Sequence, residues 1–342
     1  MFRKIRPYPK AEDILQEIPV PGILKKIKDA RDQQIRQVFE GKSNKFLLII
    51  GPCSADNVDA VCEYTSRLSL LQEKVKERLL IIPRIYTNKP RTTAMGYKGM
   101  MHQPSPTGES DYVQGVRLIR QLHIRAMDES HLSPADEMLY PGNYPYLADV
   151  LSYVAIGARS VENQEHRLTC SGLNIPVGMK NPTSGDIEVM FNSIKAAQAD
   201  HTFIYNGWEV ETEGNPLAHG VLRGAVNRFG QHIPNYHYED LMMTTQEYEK
   251  RQLINNTLII DTNHSNSQKQ YDQQPRIARE VLLNRRLSPL LQKMIKGFMV
   301  ESYLVDGAQK IAGDVFGQSI TDPCLGWEKT EEMVLQIADL LS

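Results

Sequence analysis

Four side chains able to bind a metal stand far apart in the chain, each beyond an apolar run: Cys53, His264, Glu301 and Asp322. A thiolate, an imidazole and two carboxylates suit a divalent ion such as Mn²⁺, Fe²⁺, Co²⁺ or Zn²⁺, whereas an all-oxygen set would favour Mg²⁺ or Ca²⁺. With one coordination position open to a carbonyl oxygen, such a site would be catalytic. Taken singly, Cys53 reads first as a small core residue, Glu301 and Asp322 as solvated strand-end carboxylates, and His264 as an exposed histidine of the polar turn Asn263-His264-Ser265-Asn266-Ser267. Only their shared placement makes them a set.

A second group has the opposite charge. Arg84, Lys89, Arg91, Arg159, Lys180 and Arg223 fall at or just past the ends of apolar runs, and Lys89-Pro90-Arg91-Thr92-Thr93 packs two cations and two hydroxyls around a rigid proline. Cations gathered in one place repel one another unless anions join them, and guanidinium forks fit phosphate and carboxylate oxygens. The expected ligands are small and multiply anionic. Each cation taken alone could instead pair with a rim carboxylate. A lysine in such a crowd loses proton affinity to its neighbours and regains it from a bound phosphate, so Lys180 is a candidate for proton handling as well as binding.

The elements that must position these groups follow from the pattern of apolar runs. Strands are expected near 46–51, 79–86, 135–139, 154–159, 175–180, 200–205, 257–262 and 297–301, separated by amphipathic stretches such as Val58 to Val75, Asp111 to Met127, Ile187 to Ala197 and Pro275 to Leu283. Eight strands alternating with helices predict a closed (β/α)8 barrel of the TIM type, α/β in class, whose parallel strands gather their carboxyl ends at one mouth. Residues 1–45, punctuated by Pro7, Pro9, Pro19 and Pro21, read as an amino-terminal arm; residues 46–342 read as the barrel. The Glu-, Gly- and Asn-rich stretch at about 207–221 reads as a β-hairpin inserted after the sixth strand.

Composition excludes several classes. The 342 residues carry 39 Lys+Arg against 41 Asp+Glu, a net charge of -2, which gives no bulk attraction to nucleic acid or membrane. The cationic start lacks the apolar core of a signal peptide, and no aliphatic run approaches the ~18 residues of a membrane span, so a cytoplasmic protein is expected. The four cysteines, Cys53, Cys62, Cys170 and Cys324, form no Cys-x-x-Cys pair and suggest neither a disulfide framework nor a structural zinc site.

The motifs that contain these residues closely resemble the class I 3-deoxy-D-arabino-heptulosonate 7-phosphate (DAHP) synthases regulated by aromatic amino acids. The resemblance is carried by Ile50-Gly51-Pro52-Cys53-Ser54, Arg84-Ile85-Tyr86 with Lys89-Pro90-Arg91-Thr92-Thr93, Gly157-Ala158-Arg159 and Pro176-Val177-Gly178-Met179-Lys180-Asn181. It continues through Leu222-Arg223-Gly224, Asp261 to Lys269, Met299-Val300-Glu301-Ser302, and Ser319-Ile320-Thr321-Asp322 with Gly326-Trp327-Glu328. It implies a (β/α)8 barrel that condenses phosphoenolpyruvate with erythrose 4-phosphate at the entry to aromatic amino-acid biosynthesis. It also implies that Cys53, His264, Glu301 and Asp322 hold a divalent metal. By the same resemblance, Arg84, Lys89 and Lys180 hold the phosphoenolpyruvate carboxylate end, Ala158, Arg159 and Arg223 its phosphate, and Lys89, Arg91 and Thr92 the aldose phosphate. Glu137 is expected beside Lys180, the pair ordering and deprotonating the attacking water.

The resemblance further implies a homo-oligomer, dimer or tetramer, and an aromatic amino-acid effector site built from the arm and the hairpin. Pro141 to Tyr146, Thr169 and Asn174 depart from common effector-site residues, which leaves the effector open. Lys-Pro-Arg-Thr favours erythrose 4-phosphate over the arabinose 5-phosphate used by sister enzymes. A non-catalytic sugar-phosphate-binding barrel is disfavoured by the intact metal set. Cys324, two residues beyond Asp322, is expected near Cys53, where oxidation would join the thiols and expel the metal.

Overall fold

The computed structural model describes every residue except Thr92, Ala94 and Ser342. Eight parallel strands form one sheet: Phe46–Gly51, Leu79–Pro83, Ala135–Glu137, Tyr153–Ile156, Val177–Lys180, Ala218–Leu222, Leu258–Asp261 and Ile295–Glu301. In space they run second, first, eighth, seventh, sixth, fifth, fourth, third. A parallel bridge from Arg84 to Ala135, with the Ile85 amide donating to the Ala135 carbonyl at 2.8 Å, joins the two ends and closes the barrel.

Side chains alternate across each strand, as the period of two demands. Leu47 and Ile49 of the first strand join Leu80, Ile82, Ala135, Tyr153, Ala155, Val221, Ile259 and Met299 in the barrel interior. Leu48 and Ile50 belong instead to the larger apolar layer shared with the surrounding helices. The strands are therefore buried on both faces, which is why they read as unbroken apolar runs.

The amino-terminal segment is joined to this core. Helix Gly22–Phe39 places Ile35, Val38 and Phe39 in the same cluster as the barrel interior, and the Phe39 ring lies 4.5 Å from that of His219.

The sixth strand differs from expectation. Residues 201–205, expected to be that strand, pair antiparallel with Trp208–Thr212 as the inserted hairpin, and the barrel strand is Ala218–Leu222. The hairpin therefore spans 201–212 and precedes the sixth strand, whereas it was expected at about 207–221 and after it. Burial explains the difference: His201–Tyr205 alternates between half-buried and exposed, as a two-faced surface ribbon does, whereas all five residues of Ala218–Leu222 are buried. The turn Asn206-Gly207 has φ of 49° and 84°, the left-handed pair that a two-residue hairpin needs.

Candidate active site

The carboxyl ends of the strands open into a cavity of about 350 Å³ lined by Arg84, Lys89, Arg91, Glu137, Ala158, Arg159, Lys180, Arg223, His264 and Asp322. The mouth thus gathers most of the expected residues. Thr92 lies outside the described residues.

On one side, ligand atoms of Cys53, Glu301 and Asp322 lie within 4.8 Å of one another. Cys53 follows the first strand, Glu301 ends the eighth, and Asp322 follows a short Gln318–Ser319 strand. His264 stands at the edge of this trio, its Nε2 3.8 Å from Glu301 Oε1 and its Nδ1 2.9 Å from Asp261 Oδ2. Its backbone is left-handed, with φ of 46°. Burial holds the His264 imidazole below its usual value, against the opposing pull of Asp261 and Glu301. Burial also pushes the Cys53 thiol up, to about 11, with Glu301 adding to the rise and Lys89 opposing it.

Protein cations hold the carboxylates ionised. Burial alone would raise Glu301, but Arg84, His264 and Lys89 outweigh it. The Arg84–Glu301 pair, at 2.7 Å, is almost wholly buried. Asp322 likewise lies well below the usual carboxylate range because Lys89, at 3.6 Å, and Lys269, at 3.1 Å, outweigh its burial. Lys89 Nζ also donates to Cys53 Sγ. Two cluster residues gave no separate sequence signal: Asn263 Nδ2 donates to Glu301 Oε2 at 2.5 Å, and Lys269 pairs with Asp322. Both sit in the Asp261–Lys269 turn, whose polar density was the available clue.

The other side is cationic. Arg84 stacks on the Tyr86 ring at 3.9 Å and spends Nη2 on Glu301, yet its Nε and Nη1 are buried without partners, as is Arg223 Nη1. Burial and the neighbouring Arg159 make the Arg223 charge costly, with only partial relief from Asp261. Unpartnered charged donors are expensive inside a protein. They are the form an anion site takes when its anion supplies the missing acceptors.

Lys180 pairs with Asp261 at 3.1 Å. Glu137, expected beside Lys180, lines the same cavity, and its carboxylate packs against Gly157, where a Cβ would lie 2.3 Å from Oε1. Burial would raise Asp261, but His264, Lys180 and Arg84 hold it well below the usual range. Cys324 Sγ accepts from the Cys53 amide at 3.3 Å, and both thiols are free.

A (β/α)8 barrel with a thiol–carboxylate cluster beside guanidinium groups that keep unpartnered donors at its carboxyl mouth suits an enzyme for small anionic substrates. Residues 25–335 match the DAHP synthetase I family. The chain is 36% identical over 336 residues to the Trp-sensitive phospho-2-dehydro-3-deoxyheptonate aldolase of Escherichia coli (strain K12), covering 96% of this chain and 93% of that one. It is also 36% identical to the corresponding aldolase of Haemophilus influenzae over 348 residues, with the same coverage. The aldolase structure from Francisella tularensis SCHU S4 superposes with a TM-score of 0.91 at 30% identity, covering 100% of this chain and 98% of that one. The chain belongs to the DAHP synthetase I family, and it is a DAHP synthase of the shikimate pathway, which leads to the aromatic compounds. No helix among the described residues is long and apolar enough to cross a membrane.

Proposed function

We propose that the protein joins phosphoenolpyruvate to erythrose 4-phosphate and water, in a metal-dependent reaction that gives DAHP and phosphate in the cytoplasm. The observation that carries this reading is the pair of buried, unpartnered donors on Arg84 next to a Cys53–Glu301–Asp322 cluster. Those three ligand atoms, with His264 close by, fit a divalent ion such as Mn²⁺, Fe²⁺, Co²⁺ or Zn²⁺. When bound there, the ion would supply Lewis acidity to the aldehyde carbonyl and favour the developing alkoxide.

The chain's own residues do the rest. Arg84, Lys89 and Lys180 hold the carboxylate end of phosphoenolpyruvate; Arg159, Arg223 and the Ala158 backbone hold its phosphate. Lys89 and Arg91 hold the aldose phosphate, a role that the resemblance in sequence also gives to Thr92. This grip aligns C3 of the enol phosphate with the aldehyde and keeps bulk water out. Glu137 and Lys180, both lining the cavity, order the water that adds at C2; the Glu137 carboxylate accepts its proton, after which phosphate leaves with C–O cleavage.

A pocket of about 560 Å³ lies between the hairpin, through Phe203 and Val210, and Arg36, Tyr144 and Asn174. Its size and aromatic lining suit an aromatic amino acid as effector. The E. coli relative is Trp-sensitive, which makes Trp the first effector to test. The hairpin also exposes Ile204 and Trp208, at 78% and 74%, which supports a homo-oligomer.

The test is phosphate release from phosphoenolpyruvate with and without erythrose 4-phosphate, in EDTA, after Mn²⁺ addition, and with Phe, Tyr or Trp. Aldose-dependent release, abolished by EDTA and restored by Mn²⁺, is expected. No release from folded, Mn²⁺-loaded protein would overturn the assignment.

A further inference from the structure

Asp136 is buried on the helix side of the barrel wall, next to Glu137 in sequence but outside the cavity that Glu137 lines. Its Oδ1 accepts from the Thr87 amide at 2.9 Å and from the Glu137 amide at 2.7 Å; its Oδ2 accepts the Thr87 hydroxyl. Thr87 is two residues before Lys89 and forms the base of the loop that carries it, since the Thr87 carbonyl also accepts from the Met101 amide at 3.2 Å. One carboxylate therefore ties the root of the Lys89 loop to the backbone of Glu137. The tie spans the one place where the barrel wall is closed by a lone bridge, Arg84 to Ala135. Beyond it, His123 donates from Nδ1 to the Ile119 carbonyl at 2.7 Å and faces Asp136 Oδ2 with Nε2 at 3.8 Å, without a hydrogen-bond partner of its own.

We propose that Asp136 is a positioning residue for the reaction: from outside the cavity it fixes the distance between Lys89 and Glu137 on opposite sides of the substrate. The proposal rests on the synthase reading above and extends it to a residue that touches no substrate. A carboxylate suits the task because its two oxygens take part in all three bonds at once, two with Thr87 and one with the Glu137 amide, and so hold both segments against one rigid planar group. A misplacement of about 1 Å in such a site costs up to ~10²-fold in rate.

The test compares Asp136→Asn, Thr87→Val and Thr87→Ser with the wild type, all loaded with Mn²⁺. Asp136→Asn keeps the shape and replaces one carboxyl oxygen with an NH2 group that cannot accept; Thr87→Val removes the hydroxyl, and with it the bond to Asp136 and a longer one from Asn88 Nδ2; Thr87→Ser keeps it. The expected result is a roughly tenfold or larger fall in kcat for Asp136→Asn, a smaller fall for Thr87→Val, and near-wild-type kcat for Thr87→Ser. Mn²⁺ affinity, read by metal titration, is expected to stay within about twofold, because none of these changes touches Cys53, His264, Glu301 or Asp322. If Asp136→Asn does not fold, the Thr87 pair decides. Wild-type kcat in both Asp136→Asn and Thr87→Val, or equal loss in Thr87→Ser and Thr87→Val, overturns the role of Asp136 alone. A wild type without aldose-dependent phosphate release overturns the synthase reading, and the proposal with it.

Discussion

Arg84 holds one buried carboxylate and offers two spare donors, so its removal should be felt twice, in two different assays. Arg84→Met keeps the length and most of the contact with Tyr86 while deleting the charge. Glu301 then loses its partner in a place where both side chains are 1% exposed. Breaking such a pair by removing one member costs about 3–5 kcal/mol, against a total stability of about 5–15 kcal/mol, so the variant should fold with a clearly lowered denaturation midpoint. Urea denaturation in EDTA reads this first effect. Repeating it with Mn²⁺ should narrow the deficit, because removing a cation beside the cluster strengthens divalent-ion binding and the gain is linked to stability. The second effect is on phosphoenolpyruvate. Nε and Nη1 have no protein partner, and each charge-assisted bond to substrate is worth about 1.5–3 kcal/mol. Losing both should weaken phosphoenolpyruvate binding by about 10²–10⁴-fold in calorimetric titration of the Mn²⁺ form. A deficit under about 1 kcal/mol in EDTA would refute the buried-pair reasoning. An affinity change below tenfold would refute the assignment of the spare donors.

Further outcomes follow from other sites. Burial raises the Asp136 carboxyl from 3.8 to about 7, so the stability it contributes is full below pH 4 and is lost as pH rises through 7. Relative to the wild type, Asp136→Asn should gain about 1.4 kcal/mol per pH unit between pH 5 and 7, about 3 kcal/mol in all, in urea titrations; parallel pH curves would contradict this. Gly157→Ala places a methyl group 2.3 Å from Glu137 Oε1, so kcat should fall about tenfold while the melting temperature changes by only a few degrees; unchanged kcat would remove Glu137 from the reaction. Ile204→Asp with Trp208→Ser should shift sedimentation toward smaller species if the exposed hairpin face is covered in the oligomer, and an unchanged profile would place the interface elsewhere.

The legible parts of the sequence were those governed by burial on both faces. Phe46–Gly51 and Leu258–Asp261 are apolar runs with little competing signal, and their ends carry Cys53 and His264. The sixth barrel strand was illegible for the opposite reason: Ala218-His219-Gly220-Val221-Leu222 has a histidine and a glycine at its centre. Gly220 is required by close packing, since a Cβ there would meet Leu258 at 2.9 Å, and His219 is buried with its Nε2 2.9 Å from the Tyr153 hydroxyl. The nearby hairpin strand, with Phe203, Ile204 and Tyr205, offered a stronger local β signal than the true barrel strand.

At the site, residue types and strand-end positions located the cation cluster and three metal-type ligands. They could not give the pairing. Glu137 and Lys180 line one cavity, but the ion pair of Lys180 with Asp261 had no sequence signal, because a sequence does not say which of two strand-end carboxylates a flexible lysine will reach. Asp136 escaped notice because its side-chain link to Thr87 reaches a loop 49 residues away in the chain.

The short third strand gives the barrel an uneven mechanical character. Between first and second strands the register runs through five residue pairs, whereas second and third meet through one bridge. The wall therefore has a seam, and amides along it, such as that of Ile85, should exchange with solvent sooner than those of Ile49 or Ile50. Substrate held by Arg84 and Lys89 on one side and approached by Glu137 on the other would act as a rivet across that seam. Closing the ring would then be completed by the molecule it acts upon, and slowed exchange at Ile85 would register the substrate's arrival in the backbone itself.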